Sequence, residues 1–268
     1  MNFKNKIVLI TGGCSGIGKI MARKSLERGA SHLVILDINE AGLHATKEEF
    51  SQFGKEISTY LINLAVRDQI IDVAHKIKSE IGDIDVLINN AGVVTGNYFH
   101  EHTHDQIDFN MFINSLAPMH LTLEFLPRMI ERNQGHICTI ASSAGLVSNP
   151  KMSVYAASKW AALGWSDSVR LEMEKLNKNI HFTSFLPYYI NTGMFDGVKS
   201  RIVPILDPEK TAEKIIKSIE NQRKIVATPL PFWFIRLSQG ILPLKIYDWV
   251  MGNVLGIYDT MSDFKGRK

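Results

Sequence analysis

The sequence predicts an α/β fold: a doubly wound, parallel, seven-stranded sheet flanked by helices on both faces. Three observations predict it. Short runs of Val, Ile and Leu alternate along the chain with longer stretches of helical periodicity. Several of the short runs are apolar almost without interruption, as strands covered on both faces must be. The chain also has the material for a core, since 45% of its 268 residues are hydrophobic and 21% charged.

Taken in order, the strands are expected at Ile7–Thr11, Leu33–Asp37, Ser58–Ile62, Val86–Asn90, His136–Ala141, Ile180–Phe185 and Ile225–Thr228. β-Branched and aliphatic residues dominate each of them. Helices are expected between them at Ile17–Arg28, Ala41–Phe53, Arg67–Ile81, Pro118–Arg132, Val154–Leu176 and Pro208–Glu220. The last opens with Asp207-Pro208-Glu209, an N-cap followed by proline at the first helical position. The expected sheet order is 3-2-1-4-5-6-7. No linker, repeat or low-complexity segment interrupts the alternation. The chain therefore reads as one unit, 1–268, in which 193–268 forms a substrate lid and an apolar C-terminal extension.

Bulk properties exclude several function classes. A net charge of +3 without a long Lys/Arg run argues against nucleic acid as a partner. Two cysteines, Cys14 and Cys138, are too few for a disulfide scaffold, so a reducing cytoplasmic setting is expected. The start, "MNFKNKIVLIT", lacks a signal-peptide core and runs directly into the first strand. No apolar run reaches the roughly 18 residues of a spanning helix.

The first strand ends in "TGGCSGIG". Gly12, Gly16 and Gly18 stand where strand turns into helix. Glycine permits the tight turn and lets backbone approach a pyrophosphate, while the helix N-terminus offers free N–H groups. Strand two ends at Asp37, about 20 residues on, completing a dinucleotide fingerprint of Rossmann type. A carboxylate there accepts hydrogen bonds from ribose hydroxyls and repels the extra phosphate of NADP. "DINE" supplies no arginine to welcome that phosphate. NAD is the expected cofactor. Cys14, inside the turn, is read as a small loop residue rather than a redox centre.

In "SVYAASKW", Tyr155 and Lys159 are spaced i, i+4 and share one helix face. With "TGGCSGIG", "NNAG" at 89–92, Phe-Ile-Asn at 112–114 and "ASSAG", this "YAASK" resembles the short-chain dehydrogenase/reductase family, in the family's order over roughly residues 5–193. The resemblance implies a catalytic set. Tyr155 would be the general acid–base and Lys159 its helix neighbour. Ser142 would be the serine, thirteen residues before the tyrosine, and Asn114 the member that positions a water or a backbone group in a proton relay. The cofactor would lie against Gly12, Ser15, Gly16, Ile17 and Gly18, with Asp37 and Ile38 after strand two. Asn63 and Leu64 would follow at the adenine, Asn90, Ala91 and Gly92 at the adenosine side, and Pro187, Ile190 and Thr192 beside the nicotinamide, with Tyr155 and Lys159 at the ribose.

The chemistry supports those roles. Oxidising an alcohol removes a hydroxyl proton while hydride leaves for the nicotinamide. A base must reach that hydroxyl, and a lysine ammonium nearby is expected to pull the tyrosine pKa down. A Ser142 hydrogen bond would stabilise charge on the substrate oxygen.

One departure from the family bears on the substrate. Where the family has Pro-Gly after strand six, this chain has Pro187-Tyr188, so Tyr188 is expected either to narrow the pocket floor or to present an aromatic wall to the substrate. "PYYINTGMF" and "LDINEAGL" resemble the retinol and hydroxysteroid dehydrogenases of that family, which handle large apolar alcohols at lipid surfaces. The segment from Thr228 to Tyr258 is rich in Phe, Trp, Leu and Ile. It could cap the core, line a subunit interface, cover the substrate, or touch a membrane surface. The subgroup's animal members carry an N-terminal anchor that is absent here, so peripheral membrane contact is the most expected. "HEHTH" places His100, His102 and His104 in a polar loop; without cysteines nearby, no metal site is expected. The helices at 118–132 and 154–176 resemble the family's dimer-forming pair, implying a homodimer or homotetramer. The reading is an NAD-dependent oxidoreductase interconverting an alcohol and a ketone or aldehyde. The rivals are a ketoacyl-type NADP reductase, opposed by Asp37, and a catalytically silent NAD-binding protein, opposed by the intact Tyr155 and Lys159.

Overall fold

The computed structural model describes residues 1–229 and 232–266. Seven strands form one all-parallel sheet: β1 (Ile7–Thr11), β2 (His32–Asp37), β3 (Glu56–Leu61), β4 (Val86–Asn89), β5 (Gly135–Ile140), β6 (Ile180–Pro187) and β7 (Ile225–Thr228). Their order is β3-β2-β1-β4-β5-β6-β7, as the alternation of strands and helices predicts. The order reverses between β1 and β4, and ligands bind open α/β sheets beyond the strand ends at such a switch point.

Helices α1 (Gly16–Glu27), α2 (Glu40–Phe50), α3 (Arg67–Glu80), α4 (His104–Met111), α5 (Ala117–Arg132), α6 (Ser153–Lys175) and α7 (Pro208–Glu220) cover both faces. Alternation along each strand sends its side chains both ways. Leu9 of β1 packs with Leu87, Leu121 and Phe125 on one side. Its neighbours Val8 and Ile10 pack with Met21, Leu26 and Ile215 on the other. Each such fully buried aliphatic side chain contributes about 2 kcal/mol. Asp207 caps α7 as its sequence implies, accepting the Lys210 N–H at 2.8 Å.

Two segments differ from expectation. The histidine stretch is not all loop: Phe99–Glu101 forms a short turn, and α4 begins at His104. Its start is fixed by Thr103 and Gln106, whose side chains each accept the other's backbone N–H at 3.2 Å, a capping box. The apolar segment from Thr228 to Tyr258 forms α8 (Phe232–Ile241) and α9 (Leu244–Trp249); residues 230–231 of it lie outside the described part. Ile235, Tyr247, Met251 and Ile257 turn inward and share a third apolar cluster with Tyr155 and Leu186.

Candidate active site

A cleft of about 330 Å³ opens beyond the C-terminal ends of the strands. At one end is the glycine turn between β1 and α1. Gly12 holds φ +65°, which L side chains rarely adopt. A Cβ on Gly18 would stand 2.1 Å from the Gly12 carbonyl oxygen, so α1 can start this close to the turn only with glycine there. Ser15, in extended backbone, precedes α1.

The turn is tied to the end of β4. Thr11 Oγ1 accepts the N–H groups of Asn90 and Ala91, each at 2.9 Å, and Asn90 Nδ2 donates to the Thr11 carbonyl at 2.9 Å. Sequence reasoning missed Thr11. Its signal was a hydroxyl residue ending a strand directly before the glycines. Asp37 closes β2, and its carboxylate accepts the N–H of Cys14 at 3.0 Å and of Asn39 at 3.1 Å. Burial, and after it that carboxylate, push the Cys14 thiol up to about 12, so the thiol stays protonated. Asn63 Oδ1 accepts the Ala65 N–H at 3.0 Å, shaping the turn after β3. These residues fit a dinucleotide. The Gly12–Gly18 approach leaves backbone rather than side chain against the cleft, and Asp37, Ile38, Asn63 and Leu64 line its far end.

At the other end, α6 carries Tyr155 and Lys159, both 4% exposed. Lys159 Nζ lies 5.7 Å from the Tyr155 ring centre and donates to the Ile140 carbonyl at 3.0 Å. Burial holds Lys159 down to about 8. Burial also pushes Tyr155 up to about 12, against a hydrogen bond with Ser142 that pulls it back. The sequence predicts a lowered tyrosine pKa; the protein's own residues do the reverse. The phenol is desolvated, and the lysine cation is itself disfavoured by burial and turned to a carbonyl. Ser142 Oγ also accepts the Ala144 N–H at 3.1 Å, which fixes its side chain.

Asn114 is the one member of the sequence-derived site that does not line the cleft. It sits 2% exposed in a wider π-helical turn, Phe112–Leu116, between α4 and α5. Its Oδ1 accepts the Val93 N–H and its Nδ2 donates to the Val93 carbonyl, both at 2.9 Å, and Nδ2 also reaches Ser158 Oγ at 3.0 Å. The asparagine thus clamps the strand exit to the helix bearing Tyr155 and Lys159.

Pro187, Tyr188, Ile190 and Thr192 line the cleft after β6. The Tyr188 hydroxyl is engaged with Ser200 Oγ at 3.0 Å. The rings nearest the Tyr155 phenol in series are others. Phe195 meets Tyr155 edge-on at 5.9 Å, and Tyr189 meets Phe195 at 5.0 Å. Neither was singled out from sequence, where only the aromatic richness of "PYYINTGMF" pointed to them. The histidines go elsewhere: His100 stacks on Tyr98 at 6.1 Å, and His102 Nδ1 lies 3.1 Å from the Tyr98 carbonyl oxygen. Among the described residues, no three His, Cys, Asp or Glu side chains converge as metal ligands. None of the described helices is long and apolar enough to cross a membrane.

A parallel sheet with a glycine turn at its switch point, and a buried Tyr–Lys–Ser set facing it, defines a Rossmann-type oxidoreductase. The chain belongs to the short chain dehydrogenase family, whose model matches residues 6–202. It is 36% identical to epidermal retinol dehydrogenase 2 of Mus musculus over 272 residues, covering 100% of this chain and 87% of that protein. It is 35% identical to estradiol 17-beta-dehydrogenase 11 of Pongo abelii over 261 residues, covering 97% and 87%. These relatives put it in the retinol and hydroxysteroid dehydrogenase subgroup, as an oxidoreductase acting on alcohol groups. In fold it is similar to a short chain dehydrogenase/reductase of Burkholderia phymatum in complex with NAD (TM-score 0.81, 23% identity, 90% of this chain and 95% of that one). It is similar, too, to a Sphingobium yanoikuyae short-chain dehydrogenase in complex with NADPH (TM-score 0.78, 24% identity, 88% and 94%).

Proposed function

We propose that this protein interconverts a large apolar alcohol and its ketone or aldehyde, with NAD as the hydride carrier. The observation that carries the reading is the convergence of Ser142, Tyr155 and Lys159 in the cleft that also holds the glycine turn and Asp37. When bound, the nicotinamide supplies the hydride acceptor. Tyr155 takes the hydroxyl proton in oxidation and returns it in reduction. Ser142, already hydrogen-bonded to that phenol, orients the substrate oxygen. Lys159 holds the ribose and donates to the Ile140 carbonyl, while Asn114 keeps Val93 and α6 in register. Asp37 lines the cleft, where its carboxylate would accept hydrogen bonds from ribose hydroxyls and repel the extra phosphate of NADP, which favours NAD.

The substrate end supports an apolar ligand: Val147, Met152, Tyr189, Phe195 and Ile257 line it. Residues 193–268 serve as lid and wall. Exposed Phe234, Leu237, Ile241 and Leu244 on α8 and at the start of α9 suit peripheral contact with a lipid surface from the cytoplasm. Exposed Leu123 and Trp160 on α5 and α6 suit a homo-oligomer. An absorbance assay at the reduced-nicotinamide band decides the reading, with NAD⁺ or NADP⁺ against retinol, steroid and long-chain alcohols. Turnover is expected with NAD⁺ and a bulky apolar alcohol. Preference for NADP⁺ would overturn the role of Asp37, and turnover of only small polar alcohols would overturn the substrate class.

A further inference from the structure

We infer that Thr260, which does not line the cleft, sets the shape of the substrate wall and thereby selects alcohols by bulk. The inference rests on the alcohol-oxidoreductase reading above and names a positioning residue within it.

Thr260 is 2% exposed. Its hydroxyl has one proton, donated to the Ile257 carbonyl at 2.9 Å. Its lone pairs are therefore left for donors, and two stand ready: Asn149 Nδ2 at 2.8 Å and the Tyr189 hydroxyl at 3.0 Å. Asn149, Tyr189 and Ile257 all line the cleft. They come from three segments distant in sequence: the loop after β5, the exit of β6, and the C-terminal stretch. One buried hydroxyl thus fastens three walls of the pocket together.

The effect reaches the reacting group. Tyr189 packs edge-on against Phe195, which packs edge-on against Tyr155. Displacing Tyr189 displaces the ring beside the phenol. The C-terminal stretch is itself strapped across the 193–199 loop. The Lys199 N–H donates to the Thr260 carbonyl at 3.3 Å, and the Lys265 N–H to the Asp196 carbonyl at 2.9 Å. Lys151 Nζ donates to the Ser262 carbonyl at 3.3 Å. Ile257, Met261 and Phe264 give the strap its apolar grip, and Thr260 adds the polar one. Without its hydroxyl, Asn149 Nδ2 keeps only the Tyr189 hydroxyl at 3.2 Å and Met152 Sδ at 3.7 Å, and the Tyr189 hydroxyl only Met152 Sδ at 3.4 Å, weaker partners that let the wall shift.

The test compares Thr260→Val, which keeps the shape and removes the hydroxyl, with Thr260→Ser, which keeps the hydroxyl. KM and kcat are measured for retinol, for cyclohexanol and for NAD⁺. Thr260→Val is expected to raise KM for retinol about ten-fold while KM for cyclohexanol and NAD⁺ stays within about two-fold; Thr260→Ser restores the retinol value. Equal retinol KM in Thr260→Val and the parent overturns the inference, as does a Thr260→Ser variant as impaired as the valine. If Thr260→Val does not fold, Tyr189→Phe removes the partner hydroxyl and is expected to raise the retinol KM in the same selective way; an unchanged value overturns the inference. A parent enzyme that reduces neither NAD⁺ nor NADP⁺ with any alcohol defeats the proposed function alone. Amide hydrogen exchange over 186–195 and 257–264 then decides Thr260: faster exchange in Thr260→Val than in Thr260→Ser supports the latch, and equal exchange removes it.

Discussion

The two ends of the cleft are built from different material. The dinucleotide end is made by backbone: a glycine turn, two N–H groups on Thr11, and two more on Asp37. The substrate end is made by side chains: Tyr189 and Phe195 ring edges, and the hydroxyl and amide groups that hold them. Backbone geometry is set by local residue choice, above all by glycine. Side-chain walls are set by whichever distant segments meet there. At the first end a single Cβ, on Gly18, would collide with the turn, while at the second the walls are side chains that stand apart from the sheet.

Tyr155, where the two ends meet, gives the sharpest break in that comparison. Tyr155→Phe is expected to lower turnover about a thousand-fold, since it removes the proposed acid–base and leaves both walls standing. Dinucleotide affinity, followed by calorimetry, should stay within about two-fold of the parent. Dinucleotide affinity that fell along with turnover would show that the phenol builds the cofactor end as well.

Gly18→Ala tests the claim that the dinucleotide end is backbone. The new Cβ would meet the Gly12 carbonyl oxygen at 2.1 Å, with Asn90 Nδ2 at 2.5 Å. Overpacking of this kind costs about 1–3 kcal/mol. Urea denaturation should report that loss together with weaker NAD binding. A variant binding NAD as tightly as the parent would mean that α1 can retreat from the turn.

Lys159→Met separates stability from function. The shift of Lys159 from 10.5 to about 8 corresponds to about 3 kcal/mol of desolvation at neutral pH. The unfolded chain holds the lysine proton up to its ordinary pKa, the folded chain only to about 8. This penalty is therefore full below pH 8 and fades as pH rises toward 10.5. The methionine variant should gain about 2 kcal/mol at pH 7, the lost bond to Ile140 offsetting the rest, and should lose turnover. Its advantage over the parent should shrink as pH rises from 8 to 10. A constant advantage across that range would deny the cause.

How much was legible in the sequence follows the same division. The strands, their order and the glycine turn could be read because each depends on neighbours within a few residues. The family motifs placed Ser142, Tyr155 and Lys159 in one cleft. Tyr188, expected at the substrate wall, lines the cleft with its hydroxyl on Ser200 and its ring edge-on to Tyr189 at 4.5 Å, while the rings that carry the series on to Tyr155 are Tyr189 and Phe195. No periodicity runs through an irregular loop, so the part played by Tyr189 was hidden: it depends on Thr260, 71 residues away. The rise of the Tyr155 pKa was hidden for a similar reason, since desolvation depends on what covers a group rather than on its partner at i+4.

The Thr11 hydroxyl carries a consequence for how the molecule is assembled. It joins the end of β1 to residues 79 and 80 positions further on. A fragment lacking β4, or a chain whose central pairing has not yet formed, would therefore be without these ties at the glycine turn. A bound dinucleotide can deepen the finished basin by mass action, but it has nothing to grip while the chain is collapsing. Added cofactor should slow unfolding of this protein and leave its refolding rate unchanged.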